Sequence, residues 1–311
     1  MIRLVALLPL CLAVSFAASS PKHEVAITID GLPVVQSGKS ACGAGGLQVQ
    51  TLELLEQLLR QKAPVTGFVI AGSCPDLADP DRRAVLKLWQ DAGAELGSQT
   101  YSDLDLNTAD PAAYEADILK ASEALRPFLG GWPLRYFRYP LLHTGATPEV
   151  KARIAAFLAA HGYINAPVTF DNADWMFSTV YAGAMAKGDT ETMAHVKQDY
   201  LPYMESVVEF FEQRAQEVVG GDIPQILALH ANRLNAEMTG DLLAMLKRRG
   251  YRFISLKQAL KDPAYQLPDN YSGPMGPSWI ERWAAAKGVP AKTAPEAPRW
   301  LQVEYEKIPK N

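Results

Sequence analysis

Cysteine is scarce in this chain, three in 311 residues, and only Cys42 and Cys74 lie beyond the N-terminal leader described below. Neither sign of charge dominates, with 30 Lys and Arg against 34 Asp and Glu. The formal net charge is −4, with no run of like charge and no basic stripe of the kind nucleic-acid binding relies on. Nucleic acid is therefore not an expected partner. The apolar run from Leu4 to Phe16 falls short of the roughly 20 residues that cross a bilayer.

That run reads instead as an export leader. Residues 1–17 open with Arg3, continue through the run and end Ser15-Phe16-Ala17, which puts small residues at the two positions a signal peptidase reads. Cleavage is expected near Ala18. Cys11 lacks the preceding small residues of a lipoprotein signal. The chain is expected to be exported, periplasmic or extracellular, with no stable membrane insertion after cleavage. In an oxidising compartment Cys42 and Cys74, each in a loop after a predicted strand, are either bonded or remain two buried thiols. Closing that loop would stabilise the fold by roughly 3 to 4 kcal/mol.

What is present suits one large α/β domain: 48% of residues are apolar and 21% charged, ample for a single core. Short β-rich runs fall at 24–30, 65–70, 94–99, 135–140, 163–169, 225–230 and 251–256. Helical periodicity appears between them at 47–62, 81–92, 111–128, 148–161, 190–218 and 239–249. Asp110 before Pro111 reads as a helix cap with proline at the first helical position. Seven strands with intervening helices predict a parallel barrel spanning 18–260. A proline-rich extension, 261–311, carries a short helix near Ser278–Lys287 whose Trp279 and Trp283 are expected to pack on the barrel.

Five segments fall at the ends of predicted strands, where barrels carry their chemistry. They are Thr28-Ile29-Asp30, Gly97-Ser98-Gln99-Thr100-Tyr101-Ser102-Asp103, Phe137-Arg138-Tyr139-Pro140-Leu141-Leu142-His143, Asp171-Asn172-Ala173-Asp174-Trp175 and Leu227-Ala228-Leu229-His230-Ala231-Asn232. In this order they resemble NodB-type polysaccharide deacetylases, the family 4 carbohydrate esterases, from about residue 22 to the Ser278–Trp283 segment. The resemblance implies a distorted (β/α)7 barrel with an open sugar-binding groove and an acetylated polysaccharide or oligosaccharide as partner.

It also implies roles for single residues. Asp30 matches the family's base and His230 its acid. Arg138 matches the arginine that pairs with the base in a two-pronged contact and lowers its pKa. Asp174 would orient Arg138 or His230. The Leu141 main-chain N–H matches the oxyanion donor, and Trp175 and Ala228 would line the pocket for the acetyl methyl.

The family's cation, zinc, is held by a carboxylate and two imidazoles, and here those positions are Gly31, Gln99 and Asp103. Zinc is therefore not an expected cofactor. Oxygen donors from Asp30, Gln99 and Asp103 would suit a harder ion such as magnesium, manganese or calcium, at the cost of Asp30 as base. Asp103 reads more readily as a solvated loop or capping residue, and His143, His161 and His195 as bystanders. Two functions stay open: a hydrolase removing N- or O-acetyl groups from an envelope or environmental glycan, and a non-catalytic glycan-binding or envelope-organising protein.

Overall fold

The structure, a computed structural model, describes residues 23–35 and 42–309; the expected leader at 1–17 lies outside the described residues. Seven strands form one parallel sheet: β1 (His23–Leu32), β2 (Val65–Val69), β3 (Glu95–Ser98), β4 (Tyr136–Phe137), β5 (Ile164–Asn165), β6 (Gln225–His230) and β7 (Tyr251–Ile254). Their order is β5-β4-β3-β2-β1-β6, with β7 paired to the start of β1. The stretch after β5 bends back to bridge Phe170 to Leu227 of β6, curling the sheet toward closure. This is the distorted (β/α) barrel that the sequence predicts.

Alternation along the strands sorts the side chains into two cores. Odd positions of β1, Val25, Ile27 and Ile29, join the large cluster that faces the helices. Even positions point inward, where Ala26, Phe68, Tyr136, Ala166, Ile226 and Ile254 fill the barrel floor. Both faces are covered, so the strands read as continuous apolar runs rather than as clean alternation. Above that floor the inward positions turn polar, with Thr28 opposite Ala228 and then Asp30 opposite His230.

Ten helices pack around the described sheet. Seven precede the last strand: α1 (Ala44–Arg60), α2 (Asp79–Asp91), α3 (Pro111–Leu125), α4 (Pro148–Ala160), α5 (Asp174–Lys187), α6 (Thr190–Val219) and α7 (Arg233–Arg248). Then come α8 (Leu256–Ala259), α9 (Trp279–Ala286) and α10 (Arg299–Glu306). Asp110 caps α3 as its sequence predicts, accepting from the N–H groups of Ala112 and Ala113.

The sequence reading missed α5, α8 and α10 and started α7 six residues late, at 239 rather than at Arg233. Helix α5 buries Phe177, Val180, Tyr181 and Ala184 on one face, but apolar Trp175, Met176 and Met185 lie off it, so no polar face contrasts with the buried one and a period search finds no stripe. The start of α7 is set by Asn232, whose side chain accepts from the Asn235 N–H.

A disulfide joins Cys42 to Cys74, tying the entry of α1 to the loop after β2. The C-terminal segment seals the open side of the sheet. The Trp279 N–H donates to Val168 O at 2.8 Å, Ser278 Oγ donates to Thr169 O at 2.8 Å, and Trp279 and Trp283 are buried. None of the described helices is long and apolar enough to cross a membrane.

Candidate active site

Parallel topology brings the matched segments to one end of the barrel. Asp30 and His230 sit at paired positions of β1 and β6, while Gln99 and Arg138 follow directly on the ends of β3 and β4. Their main chains continue the sheet hydrogen bonding, Gln99 N–H to Val69 O at 3.0 Å and Arg138 N–H to Ser98 O at 2.9 Å. Each side chain is thus placed by a strand end rather than by a free loop.

His230 and Asp174 form the most fully hydrogen-bonded part. Asp174, 1% exposed, accepts from the His230 ring Nδ1 at 2.7 Å through Oδ1. Its Oδ2 accepts from the His230 main-chain N–H at 2.8 Å and from Asn235 Nδ2 at 2.6 Å. Of the two residues Asp174 was expected to orient, it orients His230. Burial opposes charge on the ring, yet the Asp174 carboxylate, with Asp30 and Asp103 nearby, lifts the His230 pKa to about 9. Burial also works against the Asp174 anion, but the His230 charge and these donors hold its pKa below the usual aspartate value. The imidazole is therefore protonated at neutral pH, as a general acid requires.

Asp30 and Arg138 correct one expectation. The contact is single, Arg138 Nε to Asp30 Oδ1 at 3.4 Å, and not two-pronged. The guanidinium lies in the barrel interior over the Phe68 ring, 4.7 Å from its centroid, with Nη2 donating to Thr28 Oγ1 at 2.8 Å. Asp30 Oδ1 and Arg138 Nε and Nη1 make no hydrogen bond among the described residues. Burial raises the Asp30 pKa and outweighs the attraction of Arg138 and His230, so Arg138 does not bring the carboxyl below its ordinary value.

The three positions that match the family's metal ligands do not fit a cation. Gly31 offers no side chain and lies in the left-handed region at φ 77°. Gln99, 5% exposed, turns its Oε1 to the Gly31 main-chain N–H at 2.9 Å and its Nε2 toward Asp103 Oδ1 at 3.4 Å. An amide whose oxygen already accepts a backbone hydrogen bond has one lone pair left for a metal, and the Asp103 carboxyl, its pKa pushed up to about 6 chiefly by desolvation, is drawn into the Gln99 Nε2 contact. A harder ion would be left with the second lone pair of the Gln99 oxygen beside Asp30 and Asp103, and among the described residues no group of three or more His, Cys, Asp or Glu is gathered to hold one.

The expected substrate-side residues differ in setting. Leu141 and Leu142 both adopt left-handed backbone, φ 55° and 57°, an uncommon state for leucine, and the Leu141 side chain is exposed. Ala228 points inward two residues below His230. Trp175 is 40% exposed and meets Tyr305 of α10 edge-on at 5.2 Å. Of the bystander histidines, His143 pairs with Asp105 at 2.7 Å and His195 stacks on Trp300 at 3.9 Å.

With this geometry in hand, comparison with known proteins places the domain. Residues 17–163 match the family model described as polysaccharide deacetylase. Asp30, Gln99 and Arg138 of the deacetylase match fall inside those residues; Asp174 and His230 lie beyond them. Among solved structures the chain is similar to a mutant of BA3943 from Bacillus anthracis, described as a family 4 carbohydrate esterase pseudoenzyme with restored enzymatic activity. That match has 16% identity, TM-score 0.50, and covers 77% of this chain and 68% of the other. The polysaccharide deacetylase Bc1974 from Bacillus cereus matches at 16% identity and TM-score 0.50, over 75% of this chain and 92% of its own. These likenesses establish the deacetylase fold. No curated protein matches the chain.

Sequence reasoning missed four residues that shape this site. Asn235 bridges Asp174 and the His230 carbonyl while its Oδ1 accepts from Tyr200 Oη at 2.7 Å. Asn172 donates to Ala228 O at 2.8 Å and accepts from the Asp174 N–H at 3.0 Å. Thr28 and Phe68 hold Arg138. The one available signal was the Asn232-x-x-Asn235 spacing at a helix start, hidden when α7 was placed too late.

Proposed function

We propose that this protein engages an acetylated glycan in a polysaccharide-deacetylase barrel without a catalytic cation, as a non-catalytic glycan-binding or envelope-organising protein. The observation that carries this reading is the contact of Gln99 Oε1 with the Gly31 N–H, which occupies the amide where a ligand side chain is needed. Zinc eases deprotonation of its water by about 12 kcal/mol relative to bulk water. A positioned acid and base contribute about 3 to 5 kcal/mol. The raised pKa of Asp30 makes it a stronger base when ionised, but a general base still supplies only these few kcal/mol and does not close that gap.

A second reading, a slow metal-independent deacetylase, is favoured by the protonated His230 held on Asp174, an acid poised to protonate a leaving group. Export to an oxidising compartment is part of the proposal and is supported by the Cys42–Cys74 disulfide. Calorimetric titration with N-acetylglucosamine oligomers, paired with an acetate-release assay, tests both readings. Saturable binding without acetate supports the glycan-binding protein; acetate released in metal-free buffer supports the second reading; no binding and no acetate contradicts both.

A further inference from the structure

Removal of ligand side chains is not the only change at the position of the cation. A β-carbon built on Gly31 would lie 2.3 Å from Val35 Cγ2 and 3.7 Å from Ile70 Cδ1. The first distance is far inside van der Waals contact. The collision does not arise from a loose loop end, because the Val35 N–H donates to Ala231 O at 2.8 Å and the Ala231 N–H donates to Asp30 O at 2.9 Å. The backbone from Asp30 to Val35 is thereby pinned at both ends to the end of β6, next to His230. Leu32 and Pro33, between the two positions, are buried, so the turn has little room to relax outward.

We infer that Val35 is a determinant of cation exclusion in its own right: its methyl fills the volume from which a carboxylate at position 31 would reach an ion. This inference rests on the cation-free reading of the site and deepens it. Restoring the three ligand side chains, as Gly31→Asp, Gln99→His and Asp103→His, leaves the new carboxylate overpacked against Val35. Shortening Val35 relieves that. The left-handed backbone of Gly31 imposes its own strain on any β-carbon, and that part is independent of Val35, so the two contributions separate in a double-mutant cycle.

Two measurements test it. In the first, thermal melts compare Gly31→Ala in the native background with Gly31→Ala in a Val35→Ala background, with no metal present. The expected result is a smaller drop in melting temperature when Val35 is shortened; an equal drop in both backgrounds overturns the inference. In the second, zinc chloride alone is titrated calorimetrically into the triple variant and into the same variant carrying Val35→Ala. The quadruple variant is expected to bind zinc about 10-fold or more tightly, the scale on which neighbours of metal ligands act. Equal affinities overturn the inference. Stoichiometric zinc on the native protein is a different outcome, one that overturns the cation-free reading beneath it. Should the triple variant fail to fold, the melts decide the matter alone.

Discussion

Asp174 holds His230 twice, by the ring through Oδ1 at 2.7 Å and by the main-chain N–H through Oδ2 at 2.8 Å. One carboxylate therefore sets both the tilt of the imidazole and the end of the strand that carries it. The pair couples stability to pH. The folded His230 pKa, about 9, lies above its ordinary value of 6.5, so its contribution is complete below about 6.5 and is lost as pH rises toward 9. In His230→Gln that portion is absent, and the difference in stability between native and variant is expected to shrink over this window. Its size at neutral pH is on the order of 2 to 3 kcal/mol, reduced by the quarter of the ring surface left in solvent. Melts from pH 6 to 10 check it, and a ring titration by NMR with a midpoint near 6.5 would refute it.

Gln99 is expected to be structural where the family uses a metal ligand. Gln99→Ala leaves the buried Gly31 N–H without its acceptor and should cost about 1 to 3 kcal/mol, measured by urea unfolding. Gln99→Glu retains the acceptor but sets a third carboxyl beside Asp30 and Asp103. Like charges raise its pKa, so this variant should lose stability as pH rises above about 5 and regain it on acidification.

Arg138 and Asp30 are buried together, 1% and 4% exposed, with little hydrogen bonding between them. Arg138→Met strands a carboxylate and Asp30→Asn strands a guanidinium, and each is expected to destabilise by about 3 kcal/mol or more. The double variant should lose less than the sum. Additive losses would show that the 3.4 Å contact carries no coupling.

Reduction of the Cys42–Cys74 bond is expected to lower stability by about 3 kcal/mol on the chain-entropy estimate. Denaturant midpoints with and without reductant, with Cys42→Ser/Cys74→Ser as control, check this. An unchanged midpoint would mean that the disulfide adds little to the stability of the fold.

The barrel was legible because parallel strands buried on both faces read as short apolar, β-branched runs, and all seven lie where those runs fall. The site was legible as far as strand ends determine it. Asp30, Arg138, Asp174 and His230 converge because each sits at or just after a strand end or at the entry to a helix. Side-chain partners were less accessible. Arg138 turns from a two-pronged grip on Asp30 toward Thr28 and Phe68 because the barrel floor below it is aromatic, which no spacing along the chain expresses. The Gln99 contact with Gly31 spans 68 positions, and its direction is decided by an unpaired backbone amide that appears only once β1 and β3 are in place. Helix α5 escaped because apolar residues such as Trp175 and Met185 lie off its buried face and mask the contrast between core and solvent sides.

Metal content decides most directly whether this site works without a cation. Native protein, purified without chelator and dialysed against equimolar zinc, is analysed for bound metal and then assayed for acetate release from acetylated chitin oligomers. Sub-stoichiometric zinc and no zinc-dependent acetate are predicted, because Gln99 and Gly31 satisfy each other. One zinc per chain with zinc-dependent turnover would contradict it.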